Sequence, residues 1–408
     1  MCKRIRASLI VLLASALAIA GCTTPSGIPL QVDETYSNTE VFISWDGDSY
    51  NLALPELIWS GMVPQYTFGF VGVSPNGDVY LAPQEYTLSK IENGEAVQSG
   101  DYNPSGFGGA CGFSFSPDGS LFFVGNVGSV GQIFKVVGGR LGDDTLYYQR
   151  EFNGSDPNYI RGIGFSPDGT LYFTDEASIY VVKNGSEKLF YPNVISDQLG
   201  LNFVQSMTIA GDGAIYFTAQ VWCTTGKSEA GERYGWGGSG PSGAVCKLDG
   251  DSARIICAAI NQEARGIAVG PDNSLYILTW IGDSNGNTLR LWRLRQGVEI
   301  LQTDADVVQA RTFVAGRTGY DVYAATSGQI SEFQGENNKL NYSITNEVGN
   351  TTDVIIGIPL AVVGNPSGIR VNAGGIGIGG RVVKSETMCF AVFSYTQAQA
   401  SETLTITW

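Results

Sequence analysis

The phrase FSPDGSLFFVGN at 115–126 returns fifty residues later as FSPDGTLYFTDE at 165–176. A period of that length signals a chain built from stacked supersecondary units, so it constrains the fold before any single residue does. Related segments are GFVGVSPNGDVYLAP from Gly69, GFSFSPDGSLFFVGN from Gly112 and GIGFSPDGTLYFTDE from Gly162. They continue with SMTIAGDGAIYFTAQ from Ser206, GIAVGPDNSLYILTW from Gly266 and a degraded RTFVAGRTGYDVYAATS from Arg311. The turn glycines fall at Gly77, Gly119, Gly169 and Gly213, with Asn273 in the fifth copy, giving steps of 42, 50, 44 and 60. An insertion around Trp222–Gly243 accounts for the long step.

Each unit reads the same way. A short apolar strand enters Ser-Pro-Asp-Gly, where Pro presets φ, Asp bonds back to the backbone and Gly takes a positive φ. A second strand leaves the turn, and usually two more follow, as in ASIYVVKNG with SEKLFYP. Four antiparallel strands per repeat with no helical pattern between them make a blade of a β-propeller. The expectation is all-β: six blades over 38–338, with seven as the alternative. The segment 39–55 is expected to complete the last blade and join the two ends of the ring. A β-sandwich would not explain one turn motif per forty-odd residues. After residue 338 the pattern stops, and 339–408 reads as a small β-sandwich-like module. Its last strand alternates Leu404, Ile406 and Trp408 against threonines, so it has one buried face.

These repeats resemble the NHL-type and gluconolactonase/regucalcin-like propellers, whose units also read DG-x-LY-[VF]-x-D. The resemblance covers about residues 66–338. It implies a lactonase-like alternative with one divalent cation such as Ca²⁺ held by acidic and amide side chains in the channel. Asp175 matches the repeat's Asp and Asn126 ends the strand one blade earlier. Pro83, Gly125, Ala219 and Thr279 stand where other acidic ligands would be needed. The chain has no His, which excludes His triads, His-ligated metals and the His-using streptogramin-lyase type of propeller.

The first 22 residues, MCKRIRASLIVLLASALAIAGC, place Lys3, Arg4 and Arg6 before an apolar run from Leu9 to Ile19. That run is too short to span a bilayer comfortably and reads as a signal peptide, 1–21. Ile19-Ala20-Gly21-Cys22 resembles the lipobox of bacterial lipoproteins. The resemblance implies that Cys22 carries the lipid, that 22–37 is a lipidated polar tether, and that the chain sits in the cell envelope. Thr23 then favours the outer membrane in a Gram-negative cell. Removal of 1–21 takes away three positive charges and moves the net charge from −15 to −18. So acidic a surface argues against nucleic acid as a partner.

An exported compartment permits disulfides. Cys246 and Cys257 flank a hairpin-like stretch and could face each other; Cys223–Cys246 would instead staple the Gly-rich insertion. The two pairings stay open. In a propeller the Ser-Pro-Asp-Gly turns mark one face, and the other holds the channel mouth, where a concave site is expected. Arg161, Gln205 and Arg265 precede inner strands at that mouth, while Asp175, Glu176 and Trp280 end second strands. Converging arginines suit an anionic ligand, although each could simply pair with Asp175, Glu176 or Glu263. Trp222 and Trp236 in the insertion offer stacking surfaces for sugar rings or a partner's side chains. With no catalytic motif, the expectation is a non-enzymatic surface lipoprotein without cofactor that binds a partner protein, glycan or small anionic ligand.

Overall fold

A computed structural model describes residues 29–35 and most of 42–408; residues 222–242 and shorter stretches such as 102–109, 153–158 and 193–200 lie outside it. The architecture is a ring of antiparallel sheets joined to a β-sandwich.

The first blade runs from its inner strand Phe70–Val73 through Val79–Gln84 and Thr87–Glu92 to Glu95–Asp101. The second is Ala110–Phe115, Leu121–Val127, Val130–Val136 and Asp144–Glu151. The third is Gly162–Phe165, Leu171–Thr174, Ile179–Lys183 and Ser186–Tyr191. The fourth is Leu201–Ile209, Ile215–Val221, Gly243–Asp249 and Ser252–Ala259. The fifth is Glu263–Val269, Leu275–Asp283 and Gly286–Leu294, completed by Glu56–Val63 from the beginning of the chain.

The repeated turn has the geometry its residues dictate. Gly169 donates its N–H to the Ser166 carbonyl at 2.8 Å, and Ser166 donates to the Thr170 carbonyl at 3.0 Å. The Asp168 carboxylate accepts the Thr170 N–H at 3.0 Å. Equivalent glycine bonds recur at Gly77, Gly119 and Gly213, and Asn273 makes the same bond at φ 62°. Asn tolerates the left-handed region better than other side chains do, so the fifth copy keeps the turn without Gly.

The blades meet through glycine. A Cβ on Gly112 would lie 2.9 Å from the Arg161 carbonyl oxygen, and one on Gly162 would lie 2.5 Å from the Met207 nitrogen. On Gly266 it would lie 3.1 Å from the Val71 nitrogen, which brings the fifth blade against the first. The inner strands thus touch in the cycle first–second–third–fourth–fifth–first.

Here the structure differs from the six blades expected: the cycle closes with five. The sixth hairpin, Gln309–Ala315 with Tyr320–Thr326, pairs instead through its second strand with Thr351–Pro359 of the sandwich. A hairpin's own sequence sets its turn and alternation but not which sheet its free edge joins. The closing strand also differs, being 56–63 rather than 39–55. Phe42–Trp45 and Tyr50–Ala53 extend the outer edge of the fourth blade.

Residues 339–408, expected to be a small sandwich-like module by themselves, form two facing sheets together with strands from 31–35 and 309–336, which the expected bounds had left outside it. One sheet orders Gln329–Glu336, Lys339–Thr345, Ser401–Thr407, Arg370–Ala373 and Ile376–Ile378. The other orders Gln31–Thr35, Gly380–Lys384, Met388–Thr396 and Thr351–Pro359 ahead of the sixth hairpin. Leu340, Ile356, Val371, Val382, Phe393, Leu404 and Ile406 fill the space between them, with Trp408 packed at its margin. The stretch expected as part of a tether is therefore a parallel edge strand of this module from Gln31 to Thr35, preceded by Leu30, which is buried in its core.

Candidate functional site

The inner strands of the fourth and fifth blades each carry an irregularity near the expected mouth. In the fourth, Val204 pairs with Ala219 and Ser206 with Thr218, which leaves Gln205 bulged out. In the fifth, Ala264 pairs with Thr279 and Gly266 with Leu278, which leaves Arg265 bulged out. A bulge re-aims one side chain without disturbing the alternation beyond it, and bulges gather beside binding sites for that reason.

The two re-aimed side chains meet on one carboxylate. Gln205 Nε2 donates to Glu263 Oε1 at 3.0 Å across the blade boundary. Arg265 Nη2 donates to Glu263 Oε2 at 2.7 Å. Glu263 is 4 % exposed, so its charge is held by these partners rather than by water. The Arg265 guanidinium also lies over the Trp280 ring, 4.8 Å from its centroid. The result is a half-buried indole and guanidinium fixed from beneath by a buried carboxylate. Such a surface can stack on a ring and donate hydrogen bonds, with little rotamer freedom left to lose on binding.

The sequence brought Gln205, Arg265 and Trp280 forward, and the structure assembles them. Glu263 entered only as a pairing alternative for an arginine, yet it organises the site. Its signal was its place two residues before Arg265 at the start of an inner strand. Because Glu263 balances Arg265, the expected excess of positive charge is not supplied by this arginine. Arg161 begins the third blade; its N–H donates to the Thr174 carbonyl at 2.8 Å and its guanidinium lies over Tyr159.

Asn126 and Asp175, the two residues named for the lactonase alternative, are both engaged by backbone groups. Asn126 donates Nδ2 to the Ile160 carbonyl at 3.1 Å, and its Oδ1 accepts the Ile160 N–H at 3.2 Å. It therefore pins the second blade to the entry of the third. Asp175 Oδ1 accepts the N–H groups of Ala177 and Ser178 at 2.9 and 2.8 Å, which fixes the turn that follows. Among the described residues no three acidic or Cys side chains gather where they could hold a metal ion.

A second cluster went unread in the sequence. Arg150 lies among the rings of Phe152, Phe173 and Tyr180, with its Cζ 4.1 Å from the Tyr180 centroid. Its guanidinium sits 3.8 Å from Asp175 and 3.6 Å from Glu187. Tyr148 donates to Glu187, and burial followed by that bond pushes the phenol well above its ordinary range. The cluster ties the second and third blades together.

Cys246 and Cys257 do not pair with each other, a correction to the first expected pairing; the second involves Cys223, which lies outside the described residues. The register sets Val245 opposite Cys257 and Cys246 opposite Ile255, so the thiols fall on opposite faces of the fourth blade. Cys246 packs with Ile179, Met207 and Phe217, whereas Cys257 packs with Phe42 and Trp292. Burial pushes the Cys257 thiol up to about 12 and Cys246 upward as well. Cys22, Glu176, Trp222, Cys223 and Trp236 lie outside the described residues.

No protein-family model matches the chain, and no curated protein sequence does. Among solved structures it is similar to virginiamycin B lyase from Staphylococcus aureus, at 16 % identity and a TM-score of 0.32, over 86 % of this chain and 98 % of that one. It is similar to the calcium-binding protein regucalcin from Agrobacterium tumefaciens, at 16 % identity and a TM-score of 0.34, over 66 % and 99 %. A glucose dehydrogenase matches at 14 % identity and a TM-score of 0.35, over 58 % and 98 %. Regucalcin belongs to the group that the repeats resemble. At these scores the likenesses say nothing of activity, and the propeller assignment stands on the strand pairing above.

Proposed function

We propose that the protein is a lipid-anchored component of the cell envelope whose propeller is a binding scaffold, taking a glycan, a partner protein or a small anionic ligand at the ring mouth. One observation carries the reading: consecutive blades bulge at Gln205 and Arg265 so that both reach Glu263 and set a guanidinium on Trp280. That arrangement presents a fixed planar surface, which suits recognition. Nothing in it positions a nucleophile or an acid–base pair, and the side chains of Asn126 and Asp175 are engaged by backbone.

The test is a binding screen of soluble oligosaccharides, sugar acids and envelope extracts against the chain, followed by Trp280→Ala. Truncating an aromatic at the centre of a contact costs about 2 kcal/mol or more, so affinity should fall well over tenfold. Because Trp280 also packs on the blade core, the variant's melting temperature should drop too, and binding is measured well below it. Unchanged affinity in Trp280→Ala would move the site elsewhere. Arg265→Ala is the poorer probe, because it leaves Glu263 buried without its counter-charge and destabilises the fold itself. For the anchor, Cys22→Ser should transfer the chain from the membrane fraction to the soluble fraction.

A further inference from the structure

The strand register gives each blade boundary one equivalent pair of positions. Opposite Phe123, Phe173, Phe217 and Ile277, the third strands carry Phe134, Tyr180, Cys246 and Trp292 in turn. Opposite those, the fourth strands carry Leu146, Leu189, Ile255 and Leu57. Phe134, Tyr180, Cys246 and Trp292 each pack with side chains of the preceding blade. In the first blade the same two positions, opposite Leu81, hold Ser89 and Gln98. A hydroxyl and an amide thus stand where the other four blades have a ring or a sulfur and an aliphatic chain.

The space that a ring fills at other boundaries is open at this one. A cavity of about 310 Å³ lies between the first blade and the fifth. Thr87, Ser89, Ala96 and Gln98 line one side, and Trp59 and Met62 line the other. Small-molecule sites run from roughly 300 to 1,000 Å³, so the groove has room for a guest ring. Trp59 belongs to Glu56–Val63, the strand that closes the propeller, and its indole lies along Gly61, where any Cβ would overlap it. Met62 is 82 % exposed and stands at the rim. Among the described residues lining the groove, none is charged. The groove is separate from Trp280 at the mouth. Gly61, Leu289 and Trp280 form one row across the fifth blade, and Leu289 between them is fully buried with Gly69 packed on it.

We propose that this groove is a second binding site, distinct from the mouth, and that it takes a neutral sugar residue. The guest supplies the ring that the first blade lacks. The indole on one wall stacks on the apolar face of a pyranose, while the hydroxyl and amide on the other wall meet its hydroxyl groups. An acid would find no counter-charge in the lining. An apolar guest would gain nothing from the hydroxyl and amide that replace the apolar pair. The groove is shared by the closing strand and the first blade, so a bound sugar grips both sides of the ring's seam and stabilises the closed form.

The experiment is calorimetric titration of the full chain with cellobiose and with N,N′-diacetylchitobiose, together with its melting temperature in each sugar. The expected result is one-to-one binding of at least one of them at millimolar concentration, with a melting temperature that rises as the site fills. Ser89→Phe/Gln98→Leu restores the kind of pair the other boundaries carry. It should fill the groove, hold or raise stability without sugar, and weaken binding by about tenfold or more. Gln98→Leu alone, at an exposed position, should weaken binding several-fold and decides the matter if the double variant does not fold. Trp280→Ala should leave this binding in place, whatever it does at the mouth. Sugar binding that survives in the groove variants, or that Trp280→Ala abolishes instead, would overturn the assignment. So would a chain that binds neither sugar, or one that binds N-acetyltryptophanamide in their place.

Discussion

At the scale of single residues, two glycines in one repeat have unlike reasons to be there. Gly169 has open space around its absent Cβ but a φ of 80°, so its need is conformational. Gly162 has ordinary backbone, but a Cβ there would press on the Met207 nitrogen of the next blade. Gly169→Ala should therefore cost about 1 kcal/mol, the usual penalty for a side chain in left-handed backbone. Gly162→Ala should cost about 1–3 kcal/mol, because a neighbouring backbone cannot step aside as a side-chain tip can. Denaturant unfolding of the two variants ranks them. A Gly162→Ala chain as stable as the parent would show that the blades do not approach so closely.

At the scale of elements, the ring is held shut by Glu56–Val63 on Gly286–Leu294, where Ser60 faces Arg290 and Gly61 faces Leu289. Adjacent residues of an edge strand turn their N–H groups alternately to the neighbouring strand and to solvent. One of Ser60→Pro and Gly61→Pro must then remove a ladder bond, and that variant should lose roughly 3 kcal/mol or more. Calorimetry checks this: if neither variant lowers the melting temperature, that strand is not what closes the ring. The turns and the alternation were legible in the sequence because each is a property of about a dozen adjacent residues. Ring closure was not, because the hairpin 309–326 carries the same pattern as a blade while its edge pairs with a strand of the sandwich. The site was legible to a similar depth. Gln205, Arg265 and Trp280 showed as polar or aromatic groups at strand ends. The roles of Asn126 and Asp175 depend on which backbone group lies opposite, and no spacing encodes that.

At the scale of the whole molecule, the repeated turn gives the protein a shared acid sensitivity. Hydroxyl donation from Ser116 and Ser166 holds Asp118 and Asp168 down at about 2, and the Arg293 guanidinium does the same for Asp272. Unfolded, such carboxyls take up protons near pH 4. Their contribution to stability is thus complete above about pH 4 and is lost as the pH falls toward 2. Melting temperature should decline through that window, and Asp118→Asn/Asp168→Asn should flatten the decline. A chain whose melting is level from pH 5 to about 2 would contradict this.

The order in which the chain closes its two bodies has a consequence for its making. Residues 31–35 wait for 380–384, and residues 56–63 wait for 286–294, so each body takes an edge strand from the first part of the polypeptide and its partner from a much later part. The loops nest, the ring's closure lying inside the sandwich's. No N-terminal fragment ending before the fifth blade contains a closed ring, and none ending before residue 380 can seat its first strand. A polypeptide cut short during synthesis thus keeps unpaired strand edges, the feature that aggregates and draws proteases. Completeness is checked by topology: only a chain that has reached residue 384 can cover the strand from 31 to 35.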